Sequence, residues 1–146
     1  MKTLVTPLVA AALALVSGHS SAQTIVGGCK IAPQASCVKA NLRQASIAGM
    51  DLSGADLSGA NLQEVRASRT RFVNANLQGA DLHSADLSGA DFSHANLRAA
   101  NLLEARTQGV NWSGANLSGA RWTAGLDAYS VPIARHCAEG SIGACK

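Results

Sequence analysis

The side chains through which this chain of 146 residues can do chemistry are few, and the cysteines come first. Cys29 with Cys37, and Cys137 with Cys145, form two pairs, each with seven residues between its members. An even count in an exported chain reads as disulfides, and four cysteines allow three pairings. The local pairing closes two short loops, each stabilising by roughly 2–3 kcal/mol on the loop-entropy account. Zinc is the competing use of four thiolates, but this spacing is not a usual ligand spacing and export favours oxidation. His136 beside Cys137 could tune a thiol or bind a metal; next to a disulfide it is an ordinary cap residue. Asp127, Tyr129, His136 and Ser141 bring catalytic residue types into the tail without the spacing of any catalytic motif. No serine stands in a nucleophile-elbow context, and no glycine-rich phosphate loop is present. The chain reads as a non-enzyme without a cofactor.

The N-terminus carries Lys2, an apolar run from Leu4 to Val16 and then Ser20-Ser21-Ala22. That is the layout of a secretory signal peptide over residues 1–22, cleaved after Ala22. The apolar run is too short for the roughly 20 residues a membrane-spanning helix needs, so no stable membrane insertion is expected. Loss of Lys2, the only charged residue in that segment, takes the formal charge from +3 to +2. A balance this near neutral gives no long-range field to hold nucleic acid or an anionic membrane.

What must position these residues is a five-residue unit that repeats seventeen times from Ala40 to Ala124 without insertion or deletion. Its clearest copies are ADLSG at Ala55–Gly59 and Ala85–Gly89, and ANLSG at Ala115–Gly119. The first position is Ala in thirteen copies, the exceptions being Met50, Val65, Thr70 and Val110. The third position is mostly Leu, with Phe72, Phe92, Trp112 and Trp122 among its large members. A helix cannot use this pattern, because at about 100° per residue successive leucines fall roughly 140° apart and no apolar stripe forms. A plain strand fails as well, since an odd period sends every second leucine to the opposite face. A corner once per repeat resolves the conflict, with Asp, Asn, Ser and Gly supplying the turn. A fixed short period of this kind signals a solenoid. Residues 23–39, with Gly27-Gly28, Pro33 and the first cysteine pair, read as an N-terminal cap; residues 125–146 read as a C-terminal cap.

The A-(D/N)-L-x-x unit resembles the pentapeptide-repeat family. The resemblance implies an all-β right-handed quadrilateral β-helix, four repeats to a square coil, here of about four coils with disulfide-stapled ends. Residues twenty apart then stack at about 4.8 Å, giving a core on the order of 20 Å long. One inner column becomes Leu52, Phe72, Phe92 and Trp112, an aromatic ladder. Another becomes Leu42, Leu62, Leu82, Leu102 and Trp122, with Trp122 closing the end. Outside, the columns Ser46, Arg66, Asp86, Arg106 and Asp51, Arg71, Asp91, Asn111 alternate in charge. Stacked opposite charges contribute under about 1 kcal/mol per exposed pair. Arg66, Arg69 and Arg71 admit a second reading as a local anion-binding patch. His83 and His94 fall on opposite sides of the coil and cannot share a metal.

The function expected is a non-catalytic, exported solenoid acting as a binding or structural module in the bacterial envelope or outside the cell, with an unidentified protein or envelope partner. Candidate contacts are the outward positions that break the pattern: Arg43, Arg69, His83, His94, Arg98 and Leu103. The resemblance offers an alternative, DNA-mimicking protection of DNA gyrase against inhibitors. That needs an acidic surface and a cytoplasmic location, and this sequence departs on both counts.

Overall fold

A computed structural model describes residues 24–123. Residues 1–23 and the tail, including Asp127, Tyr129, His136, Ser141, Cys137 and Cys145, lie outside the described residues. Among the described residues no helix is long and apolar enough to cross a membrane.

Each repeat makes one short straight step and one corner. The third-position carbonyl accepts the amide of the next first position, as from Ala45 N–H to Leu42 at 3.0 Å. The fifth position is the third residue of that turn, where a type II turn requires positive φ. Every fifth position from Gln44 (φ 58°) to Gly119 (φ 71°) satisfies this, whether or not it is glycine. The second position explains the preference for Asp and Asn. Asp51 Oδ1 accepts the Ser53 amide at 2.9 Å, and Asn61 Oδ1 accepts that of Gln63 at 3.1 Å. These side chains imitate a turn of the backbone and bend the chain into its corner.

Coils join through a parallel ladder with a twenty-residue register, for example Asn41 to Asn61 and Asp81 to Asn101. The Leu42 amide donates to the Asn61 carbonyl at 2.8 Å, and the Asn61 amide to the Ala40 carbonyl at 2.9 Å. Pairing is interrupted at every corner. Regular strands within the coils are therefore only two residues long, Asn101–Leu102 and Arg121–Trp122, and elsewhere the ladder is a series of single bridges.

The interior is the leucine column set plus the alanines. Third-position residues from Leu42 to Leu102 are buried, and Ala55 to Ala120 at the first position keep the coil narrow. The aromatic ladder is present: Phe72 stacks on Phe92 at 4.7 Å and Phe92 on Trp112 at 5.0 Å between ring centroids. Two small residues offset the large ones. Ala67 directly precedes Phe72 around its coil and Thr107 directly precedes Trp112, and all four are buried. Thr70, replacing a first-position alanine, directs its hydroxyl to the Ile47 carbonyl at 2.8 Å and so satisfies its buried oxygen.

At the N-terminal end a hairpin pairs Ile25–Val26 with Cys29–Lys30. Its loop is Gly27-Gly28 with φ of 55° and 78°, the pair of positive values that a two-residue type I′ turn demands. A Cβ on Gly27 would collide with the Asn41 carbonyl, so the hairpin sits directly on the first coil. Cys29 and Cys37 are disulfide-bonded with Cα atoms 5.2 Å apart, and both are buried. Cys37 occupies a leucine position of the repeat register, so the bond ties the hairpin into the core itself.

Candidate functional site

The twenty-residue register creates four outer columns at the second position. Ser36, Asp56, Asn76, Asn96 and Asn116 define face A. Face B is Asn41, Asn61, Asp81, Asn101 and Arg121; face C is Ser46, Arg66, Asp86 and Arg106; face D is Asp51, Arg71, Asp91 and Asn111. Fourth and fifth positions form the corners between them.

The six candidate contacts distribute unevenly on this frame. Arg43, His83 and Leu103 share the corner between B and C. Arg69 lies between C and D, His94 between D and A, and Arg98 between A and B, so the two histidines stand on opposite corners. Partners already occupy part of the first corner. Arg43 pairs with Glu64 at 2.8 Å, and Gln44 donates to the same carboxylate at 2.9 Å. His83 lies 3.9 Å from Glu104, which also accepts from Ser84 at 3.1 Å. These are exposed pairs, screened by solvent, and contribute little to stability. His94 lies across the next coil, its Nδ1 only 2.5 Å from where a Cβ on Gly114 would be. Arg69 and Arg98 are exposed and have no ion pair among the described residues.

The expected charge ladder forms in one column of two. Arg71 pairs with Asp51 at 3.5 Å on face D. On face C the backbones of Arg66, Asp86 and Arg106 stack in register, yet no ion pair links them. Asp86 instead accepts from the Ser88 amide at 3.1 Å, the Ser88 hydroxyl at 2.7 Å and the Ser68 hydroxyl at 3.2 Å.

The carboxylates are tuned for structure. Ser53, Ser58 and Ser88, through hydroxyl and amide, hold Asp51, Asp56 and Asp86 below the usual aspartate range. Burial pushes Asp81 and Asp91 upward, and hydrogen bonds from Gln63 and the His83 amide, and from Ser93, outweigh it. All five are ionised at neutral pH, so none is set to donate a proton in general acid catalysis. Among the described residues no group of three or more His, Cys, Asp or Glu is assembled to hold a metal.

Sequence reasoning missed one polar group. The Trp112 indole N–H is buried at the C-terminal end of the aromatic stack and has no partner among the described residues. The available signal was its place: the last aromatic of a column whose next position, Pro132, is no longer a repeat leucine.

In comparisons with known proteins, the pentapeptide repeats family model matches in eight copies over residues 35–72, 75–106 and 95–121. The crystal structure of a pentapeptide repeat protein from the cyanobacterium Cyanothece 51142 is 34% identical, with a TM-score of 0.57 over 57% of this chain and 57% of that one. A pentapeptide repeat protein from Nostoc Pcc 7120 is likewise 34% identical, with a TM-score of 0.57 over 59% of this chain and 71% of that one. The match thus spans little more than half the length of the first of these relatives. QnrB1, a plasmid-mediated fluoroquinolone resistance protein, is 20% identical with a TM-score of 0.41, too distant to bear on function. No curated protein matches the sequence.

Proposed function

Because the chain belongs to the pentapeptide-repeat family, whose model covers more than half of it, we propose that it is a non-catalytic, exported binding or structural module of the bacterial envelope or extracellular space. The right-handed β-helix is its scaffold, a rod of about four coils at the 4.8 Å inter-strand spacing. The observation that carries the reading is the Cys29–Cys37 disulfide, buried within the core and continuous with the first coil. A structural disulfide of this kind belongs to an oxidising compartment. It agrees with residues 1–22 acting as a removable signal peptide.

Residues 125–146 form the second cap in this account, fastened by Cys137–Cys145. Support comes from the last coil. The buried Trp112 indole needs an acceptor, and Leu117 and Trp122 are only half-buried there. An unprotected solenoid end is a sheet edge open to stacking with other molecules, and capping both ends prevents it. The partner is bound by outward side chains, Arg69 and Arg98 being the candidate arginines left without ionic partners among the described residues.

Gyrase protection by DNA mimicry finds no support in charge: 12 Lys and Arg stand against 9 Asp and Glu. Intact mass of the protein from cell fractions, with and without thiol alkylation under denaturing conditions, tests the proposal. A periplasmic or secreted species beginning at Gln23, lighter than its reduced form by four hydrogens for the four cysteines, is the expected result. A full-length cytoplasmic species with free thiols would contradict it.

A further inference from the structure

The corner between faces C and D carries Arg66, Arg69 and Arg71 within six consecutive residues of one coil. Arg66 projects from face C, Arg69 from the corner and Arg71 from face D, and all three are exposed. They differ in what they already hold. Arg71 is paired with Asp51. Arg66 and Arg69 have no carboxylate within ion-pair distance among the described residues. The acid that stacks beside Arg66, Asp86, has both oxygens engaged by Ser88 and Ser68. Arg106, two coils from Arg66 on the same face at about 10 Å, is likewise unpaired there. The Arg69 stem is guided along the corner, its Cγ 3.4 Å from where a Cβ on Gly89 would sit.

From this placement we infer that Arg66 and Arg69 form a seat for an oxyanion, the phosphate or sulfate group of a ligand, with Arg106 as an outlying second contact. Guanidinium groups present planar forks of N–H donors that match such oxygens two at a time. The backbone beneath is fixed by the ladder: Arg66 N–H donates to the Ala45 carbonyl at 2.8 Å and Arg69 N–H to the Ser88 carbonyl at 2.9 Å. The backbone points from which the two prongs extend are thus fixed before the ligand arrives. Asp86 is the counterweight, a nearby negative charge that weakens the seat. The inference gives the binding-module reading a ligand class and rests on it; its failure would leave the mass and localisation test of that reading untouched.

The test uses the mature chain and two probes. Inorganic phosphate is titrated while amide and arginine Nε–H signals are followed by NMR. Vesicles of phosphatidylcholine with and without phosphatidylglycerol are tested by co-sedimentation. Phosphate should move the signals of Arg66, Ser68 and Arg69. Combined Arg66→Gln and Arg69→Gln should weaken binding about fivefold or more, as loss of about 1 kcal/mol implies. Lys39→Gln, removing an exposed cation on the opposite corner, should leave it unchanged, and Asp86→Asn should strengthen it. Binding of phosphate alone identifies a free anion as the ligand, and retention on phosphatidylglycerol vesicles alone identifies a lipid phosphate; either supports the seat. Binding of neither probe overturns it. So does equal weakening by Lys39→Gln, which would mean diffuse charge attraction.

Discussion

Opposite sides of the coil use the same repeat position for different ends. On face A, Asn76 donates to Asp56 at 3.1 Å and Asn96 to Asn76 at 3.1 Å, an amide chain running from coil to coil. The same residues also receive the amides of their own corners, as Asp56 does from Ser58 at 3.0 Å. On face C, Arg66 and Arg106 replace the amide, no such chain forms, and Asp86 alone performs the corner bond, to Ser88. The backbone ladder continues beneath both faces with the same register. A second-position side chain is therefore dispensable to the fold when the backbone ladder and core suffice. Where it is not spent on the corner, it is available to solvent and to ligands. The functional surface of this solenoid is expected where the repeat is least regular, and the stabilising one where it is most regular.

Several perturbations break or sharpen that comparison. The largest acts on the core that supports faces C and D. Phe92→Ala removes the centre of the aromatic stack and should cost about 3–5 kcal/mol in urea denaturation. Leu97→Ala, behind face A, should cost less because the amide chain outside it persists. Next comes Ala67→Leu, which crowds the space left for Phe72 and should cost about 1–3 kcal/mol. Both belong to the interior, so neither should alter phosphate binding beyond its effect on folding.

Acid should separate the two sides. All five half-buried aspartates have folded pKa values below their unfolded ones. The stability they contribute is therefore present above the unfolded value near 4 and is lost as pH falls through the folded values. Asp51, Asp86 and Asp91 lie on faces C and D, against Asp56 and Asp81 on A and B. Hydrogen exchange between about pH 5 and 2.5 should accordingly show faces C and D losing protection first. The smallest effect concerns a corner. Ala99 holds φ of 54°, and Ala99→Gly should stabilise by about 0.5–1 kcal/mol, seen as a raised Tm.

The period of five made the fold legible, because only a corner in every repeat lets Leu62 and Ala67, five residues apart, both face inward. The twenty-residue register came from the family resemblance and then placed Phe72, Phe92 and Trp112 correctly. The contact surface was less legible. Pattern-breaking marks Arg43 and His83, but their partners Glu64 and Glu104 lie twenty-one residues on, at a neighbouring position of the next coil. Columns twenty apart do not reveal such diagonal pairs. Nor could alternation of sign show that Asp86 would turn to serines while Asp51 took its arginine. Both aspartates accept from the serine two residues on, and they differ at the second oxygen, which meets Arg71 at Asp51 and the Ser68 hydroxyl at Asp86. The hairpin was half legible: Gly27-Gly28 and the first cysteine pair marked a cap, but not a hairpin resting on the Asn41 carbonyl.

The central claim, that structural duty and availability exchange at the second position, is tested most directly by a reciprocal swap. Arg66→Asn and Asn76→Arg are made separately, and each is measured by urea denaturation. Arg66→Asn should raise stability by about 0.5–1.5 kcal/mol, one net hydrogen bond, by supplying the missing corner acceptor. Asn76→Arg should lower it by a similar or larger amount by breaking the amide chain at Asp56 and Asn96. If Arg66→Asn destabilised the protein, or if Asn76→Arg cost nothing, the division between a structural face and an available one would be wrong.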